Sequence, residues 1–269
     1  MPLISKSDTM CKIMKFSIIT PTYKRADLLS RTLRSVLNQT YPDFEIIIVN
    51  DSPDDSTYNE FKKNISDSRI KYFKNEKNLG VNYSRNFAMD NISNDSDFII
   101  FLDDDDWFAT DTLSEFNKLI ISKPNQKWFI TNRAYTDGKL VTKYPEPEKF
   151  YSYIYDVLIL KRCKGDVTHC IKTSMIKNIR YSKYVKQGEE WIFYYQISLK
   201  EKMFYHNHNS TLTDGYNKTS GLNFRKRTKT EQLKTIFNFI KEGHKLNLLH
   251  SQTFIIYLFM RFVRLCVKN

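Results

Sequence analysis

The sequence predicts an α/β fold: a Rossmann-type, mostly parallel sheet flanked by helices, followed by a mixed, helix-rich region. Three observations carry that expectation. Short β-branched runs alternate with amphipathic stretches through residues 15–125. The runs are nearly continuously apolar, as in strands covered on both faces. Each run ends in a polar turn that opens the next helix.

The elements follow in order. Phe16-Ser17-Ile18-Ile19-Thr20-Pro21 is a buried strand stopped by proline. Asp27 stands where it can cap the next helix, whose Leu29, Leu33, Val36 and Leu37 share a face, and Tyr41-Pro42-Asp43 ends it. Residues 44–49 form a second strand, closed by the turn Asn50-Asp51-Ser52-Pro53-Asp54-Asp55. A helix over 57–64 and a strand over 69–73 come next. Gly80 opens a helix through Asp90, and 98–102 is a fourth strand running into Asp103-Asp104-Asp105-Asp106. Beyond residue 125 the pattern loosens. A strand is expected over 128–132, a hairpin turn at Thr136-Asp137-Gly138-Lys139, and strands over 202–205 and 211–216. Helices are expected over 150–160, 188–199, 228–242 and 251–268.

The chain has 269 residues, 41% hydrophobic and 14% aromatic, enough for a sizeable core and incompatible with disorder. Its formal net charge of +12 is unevenly spread: 16 basic and 19 acidic residues in 1–125, a net of −3, against 26 and 11, a net of +15, in the remainder. The expected organisation is a frayed leader over 1–14, an α/β half over 15–125, a second half over 126–250 packed on it, and a basic amphipathic helix over 251–269. Only 7 glycines occur, none before Gly80, so a glycine-rich phosphate cradle near the start is excluded. Cys11, Cys163, Cys170 and Cys266 follow no metal-binding or disulfide spacing and read as reduced thiols of a cytoplasmic protein. The leader lacks an apolar signal region, and no stretch reaches the roughly 18 uncharged apolar residues of a membrane span.

Ligands of such sheets bind beyond the carboxyl ends of the strands. That places Thr20-Pro21-Thr22-Tyr23, Asn50-Asp51-Ser52 and Asp103–Asp106 on one rim. Four consecutive aspartates repel one another unless a cation sits among them, and oxygen-only ligands suit Mg2+ or Mn2+. A solvated acidic turn is the plain alternative; the position after a buried strand favours the metal. Asp51 reads either as a turn residue or as an acceptor for a base or ribose. Gly188-Glu189-Glu190-Trp191 reads equally as acids at a helix N-terminus and as a site for a general base. His169, His206 and His208 form no metal-binding pair and are weak candidates. Arg225-Lys226-Arg227 comes with no recognisable RNA or DNA module, so no nucleic-acid partner is expected. The C-terminal helix, with Arg261 and Arg264 opposite Phe, Leu and Ile, suits either contact with an anionic membrane or packing on the body with an exposed charged edge.

The segments Phe16–Tyr23 and Leu33–Ser52, the stretch Asn78-Leu79-Gly80-Val81 through Ser84-Arg85-Asn86, and Phe101-Leu102-Asp103-Asp104-Asp105-Asp106-Trp107 resemble, in order and at matching spacing, the family 2 glycosyltransferases of bacterial surface-glycan type. The likeness covers 15 to about 120 and extends more loosely to about 221. It implies a GT-A fold and inverting transfer of a sugar from a nucleotide-sugar, a UDP-sugar preferred, to a glycan or lipid-linked acceptor. By motif position Thr20, Pro21, Tyr23 and Asp51 hold the base, with Thr22, Arg25 and Asn78 assigned to the same nucleotide site. Arg85 sits close to the donor, Asp103 and Asp104 lie near the ribose and diphosphate, and Asp105 is the direct metal ligand with Asp103 beside it. Glu190 takes the place of the family's catalytic aspartate, Glu189 being the runner-up. Two departures stand out. The base is a glutamate, one methylene longer. The late stretch Tyr216-Asn217-Lys218-Thr219-Ser220-Gly221 lacks the Arg and His that family members often carry there. The expected location is cytoplasmic, with peripheral attachment at the inner face of the membrane as a further expectation. Competing readings are a nucleotidyltransferase, disfavoured by the missing glycine loop, and a non-catalytic nucleotide-binding protein on the same fold.

Overall fold

The computed structural model describes residues 13–63, 65–184, 190–215 and 228–267. Residues 1–12 of the expected leader 1–14, Gly188, Glu189, the 216–221 stretch and Arg225-Lys226-Arg227 lie outside the described residues.

The first half follows the sequence closely. Strands β1 (Phe16–Thr22), β2 (Phe44–Asn50), β3 (Ile70–Lys74) and β4 (Phe98–Phe101) pair in parallel, with β1 between β2 and β4 and β3 outside β2. Between them run α1 (Ala26–Leu37), α2 (Thr57–Lys63) and α3 (Val81–Asp90). Every residue of β1 and β2 is buried, as the continuous apolar runs required. Alternate side chains then feed opposite faces. Phe16, Ile18, Ile46 and Ile48 pack with α1 and with α4 (Thr112–Ser122), whereas Ile19, Ile47, Val49 and Ile99 pack with Ala88 and Met89 of α3.

The second half continues the same sheet with mixed pairing. It contributes β5 (Asp106–Phe108), β6 (Trp128–Tyr135), β7 (Lys149–Tyr151), β8 (Val167–Lys172) and β9 (Met203–Thr213). The order is β3-β2-β1-β4-β8-β6-β9-β5, with β7 also on β9. β8 pairs antiparallel with both β4 and β6, and only β6–β9 is parallel here. The short antiparallel β5 starts inside the aspartate run, so Asp106 belongs to a strand and not to a free turn.

Several local expectations are corrected. Asp27 does not cap α1: the helix starts at Ala26, its Arg25 N–H donates to the Tyr58 hydroxyl at 2.9 Å, and Asp27 lies in the first turn, where it acts through the dipole. The helix expected over 150–160 is the strand β7 followed by a π-helix, Tyr153–Ile159, capped by the Ser152 hydroxyl. The two strands expected over 202–205 and 211–216 are one long strand, β9. The hairpin at 136–139 is present, with Gly138 at φ 83° and the Tyr135 N–H donating to Lys139 O at 2.8 Å.

Helices α5 (Trp191–Ser198), α6 (Lys229–Lys245) and α7 (Gln252–Val267) complete the chain. A third core cluster ties them together: Ile154 and Leu158 of the π-helix, Trp191 and Tyr195 of α5, Phe239 of α6, and Phe254 and Leu258 of α7. Among the described residues no helix is long and apolar enough to cross a membrane.

Candidate active site

The three predicted rim turns meet. The Asp51 N–H donates to Thr22 O at 2.9 Å, and the Thr22 hydroxyl donates to Asp104 Oδ2 at 2.8 Å, joining the ends of β2, β1 and β4. Thr20 is fully buried in β1, where Pro21 lies opposite Val49, and Tyr23 is exposed at the rim. Asp51 serves the loop before α3: its carboxylate accepts from Asn75 Nδ2 at 2.8 Å, Leu79 N at 2.8 Å and Gly80 N at 2.7 Å. Asn78, assigned to the nucleotide site by motif position, is exposed in that loop, and the buried Asn75 is the asparagine that bonds Asp51.

Each aspartate of the run meets an arginine. Arg25 donates to Asp104 Oδ1 at 3.0 Å and to Asp105 Oδ2 at 3.3 Å. Arg85, on α3, donates to Asp103 Oδ1 at 2.8 Å and forms a second ion pair with Glu190. Arg133, on β6, donates to Asp106 Oδ1 at 2.7 Å and to Asp166 Oδ2 at 3.1 Å. Arg31 binds the Asp105 carbonyl at 3.0 Å and stacks over Trp107 at 4.0 Å. Glu190 at the start of α5 and Asp103 at the end of β4 are therefore held by one buried guanidinium, although 87 residues separate them in the chain.

Arg85, Asp103, Asp106, Arg133 and Glu190 face a common cavity of about 350 Å³, within the roughly 300–1,000 Å³ of small-ligand pockets. Its far wall is Tyr144, Tyr153, His169 and Tyr194. Gly165 closes one side at φ +76°, where a Cβ would lie 1.9 Å from Val141 O, so only glycine fits.

Carboxylate oxygens of Asp103, Asp105 and Asp106 all lie within 4.8 Å of one another. Desolvation drives their chemistry. Asp104 is pushed up to about 6 by burial despite Arg25, and Asp106 to about 7 by burial despite Arg133, with Asp103 and Asp105 adding to the rise. Asp105 is raised by burial and by Asp103. For Asp103, desolvation is outweighed by Arg85 and then Arg133, which hold it below the usual carboxylate range. Crowded, oxygen-only and partly protonated, this donor set fits a hard divalent cation.

A pH dependence follows. Groups with raised pKa values contribute stability that is complete below about pH 4 and lost as pH climbs through about 6 to 7. A divalent cation held by Asp103, Asp105 and Asp106 would compete with the proton on Asp106. The rise in Tm produced by Mn2+ is therefore expected to grow between about pH 5.5 and 7.5, with proton release on binding measured by calorimetry in two buffers of different ionisation heat. A pH-independent Tm rise would contradict the assignment.

Sequence reasoning found the acidic run, Arg85 and Glu190, and missed Arg133, Asp166, Arg31 and Asn75. A single arginine inside a strand carries no local signal; only the pairing of β6 with β9, which in turn holds β5, places Arg133 beside Asp106.

The site is thus an acidic run after the fourth strand of a mixed α/β sheet, joined by an arginine to a glutamate at the start of a later helix. The glycosyl transferase family 2 model matches residues 17–181, and the chain belongs to that family. Its relatives include the GalNAc(5)-diNAcBac-PP-undecaprenol beta-1,3-glucosyltransferase of Campylobacter jejuni, 39% identical over 94 residues, covering 34% of this chain and 30% of that protein. Another is the UDP-Glc:alpha-D-GlcNAc-diphosphoundecaprenol beta-1,3-glucosyltransferase WfgD of Escherichia coli, 42% identical over 91 residues, 34% of each chain. These alignments span about a third of the relatives' length. Among solved structures, S. aureus TarS 1–349 in complex with UDP-GlcNAc superposes with a TM-score of 0.67 at 18% identity, covering 86% of this chain and 67% of that one, a likeness of fold.

Proposed function

We propose that the chain is an inverting, Mg2+- or Mn2+-dependent glycosyltransferase that moves a sugar from a UDP-sugar to a hydroxyl of a lipid-linked or glycan acceptor in surface-polysaccharide assembly. The observation that carries this is Arg85, which holds the donor-side Asp103 and the candidate base Glu190 on one cavity wall. Glu190 takes the proton of the acceptor hydroxyl as its oxygen attacks the anomeric carbon. The bond from that carbon to the diphosphate oxygen breaks on the opposite side, and the diphosphate leaves with the electron pair. Asp105, Asp103 and Asp106 are the residues that would hold the cation, which when bound supplies Lewis-acid stabilisation to the departing diphosphate. Thr22, Arg25 and Asp51 border the nucleotide end, and Glu189 is the alternative base. The UDP-Glc donor of the Escherichia coli relative favours a UDP-sugar, and the undecaprenol-diphosphate acceptors of both relatives favour an acceptor of that class.

Calorimetric titration of UDP-glucose, UDP-N-acetylglucosamine and GDP-mannose with Mn2+ present tests the donor. Saturable binding of a UDP-sugar, stronger than that of GDP-mannose, is expected. Binding with no subsequent product or donor hydrolysis would favour the non-catalytic reading.

Contact with an anionic membrane is the second part of the reading, and α7 supports it. Phe254, Tyr257, Leu258 and Leu265 pack inward, while Ile255, Ile256, Phe259, Phe262, Val263 and Val267 are exposed, Phe259 at 65%. At about 100° per residue the exposed set forms one arc roughly 140° wide, with Arg264 next to its edge. Because Phe254 packs on Trp191, point variants are the appropriate test. Phe259→Glu is expected to weaken co-sedimentation with phosphatidylglycerol vesicles about tenfold, and added salt to weaken the parent protein. Equal binding to phosphatidylcholine vesicles would contradict the anionic preference.

A further inference from the structure

His169 is a half-buried titratable group of the cavity for which the proposed chemistry has no use. It lies on β8, with β4 on one side and β6 on the other, and lines the same cavity as Asp103, Asp106 and Glu190. The Trp128 indole N–H donates to His169 Nδ1 at 3.1 Å. An indole nitrogen can only donate, so Nδ1 must accept, and the ring proton sits on Nε2. Burial lowers His169 to about 3, which keeps the ring neutral and its tautomer fixed. The ring stacks on Tyr194 with centroids 4.1 Å apart, and Trp128 lies parallel to Tyr194 at 5.9 Å, so its plane is locked as well. No described protein group accepts from Nε2.

The neighbourhood suits a pyranose. Tyr144 and Tyr153 line it with aromatic surface suited to the sugar's C–H groups, while Asp166 and Arg133 offer polar partners to the hydroxyls. Tyr194 follows Glu190 by one helical turn, so this wall adjoins the base and not the nucleotide rim. We propose that the Nε2–H of His169 donates a hydrogen bond to a hydroxyl of the acceptor sugar, making His169 a specificity-determining residue for the acceptor. The proposal rests on the transferase reading for its substrate class.

The test compares His169→Phe, which keeps a flat ring and loses the donor, with His169→Gln, whose amide oxygen can accept from Trp128 while its N–H2 donates. Probes are p-nitrophenyl glycosides of glucose, galactose, GlcNAc and GalNAc, with UDP-glucose as donor, together with the monodeoxy forms of the preferred glycoside. Binding is read from tryptophan fluorescence in the presence of UDP, and turnover from UDP release. In His169→Phe the acceptor KM and Kd are expected to rise about tenfold at an unchanged donor KM. Discrimination against one monodeoxy acceptor should disappear, and His169→Gln should restore most of both. Equal shifts in donor and acceptor KM, unaltered deoxy discrimination, or a failure of His169→Gln to rescue would overturn the proposal and leave His169 a packing residue. Sugar binding that loses its deoxy discrimination in His169→Phe, in a protein that releases no UDP, would uphold this site and refute the transferase reading.

Discussion

Glu190→Gln is expected to lower sugar transfer by about 10²- to 10⁴-fold, the range that a positioned general base contributes. The substitution keeps the side chain's length and its oxygen for Arg85 but removes the carboxylate proposed to accept the proton. Donor binding should persist, because the aspartate run and Arg25 are untouched. The side chain is about 38% exposed, so solvent screens its pairing with Arg85, and the loss of that pair costs only about 1 kcal/mol. A small drop in Tm beside a large drop in kcat therefore separates chemistry from folding. Retention of full transfer at saturating donor would remove Glu190 from the mechanism and move attention to Glu189.

Asp105→Ala is expected to reduce transfer by at least about a hundredfold and to abolish the Tm increase produced by Mn2+. Asp105 is almost completely buried, and burial and Asp103 push its pKa up. In the metal-free protein the carboxylate is therefore a source of repulsion. Its removal is expected to leave the metal-free Tm unchanged or higher, since Asp104 still pairs with Arg25. A gain or parity in stability with a loss of activity is the signature of a residue kept for function. Lost activity together with a metal-free Tm several degrees lower would instead mark Asp105 as structural.

Much of the donor half was legible because its determinants are local. Phe16–Pro21 and 44–49 are long, apolar and bounded by proline and aspartate, so burial on both faces and the rim position follow directly. The ends of β1, β2 and β4 meet where the strand pattern placed them. The other half was harder to read because its elements depend on partners far away in the chain. Val167–Lys172 carries Thr, His and Cys and receives no element from the sequence pattern; it is a strand because β4 and β6 pair on its two sides. Asp106–Phe108 becomes a strand only because β9 extends to meet it. The pattern over 150–160 has helical spacing, yet Lys149–Tyr151 pairs with β9 and leaves a π-helix for the remainder.

The site divides along the same line. Asp103–Asp106 and Arg85 stand in short motifs and were visible. Arg133 and His169 are single residues on β6 and β8, Asp166 and Tyr144 lie in the segments before β8 and β7, and Tyr153 and Tyr194 come from the π-helix and α5, so only the tertiary fold brings them together. The uneven charge acquires a local meaning as well: three guanidiniums, Arg25, Arg85 and Arg133, offset the acidic run, and two of them belong to the acidic half of the chain. The proposed base Glu190 and the proposed acceptor residue His169 both lie in the basic half of the chain.

The most direct test of the central claim is a panel of nucleotide-sugars incubated with the full chain and the p-nitrophenyl acceptors, reading glycosylated product with Mn2+ and with excess chelator. The account predicts transfer from a UDP-sugar that requires the divalent ion, inverts the anomeric configuration in the product's NMR spectrum, and collapses in Glu190→Gln. Transfer that proceeds equally in chelator, or that retains the anomeric configuration, would contradict it.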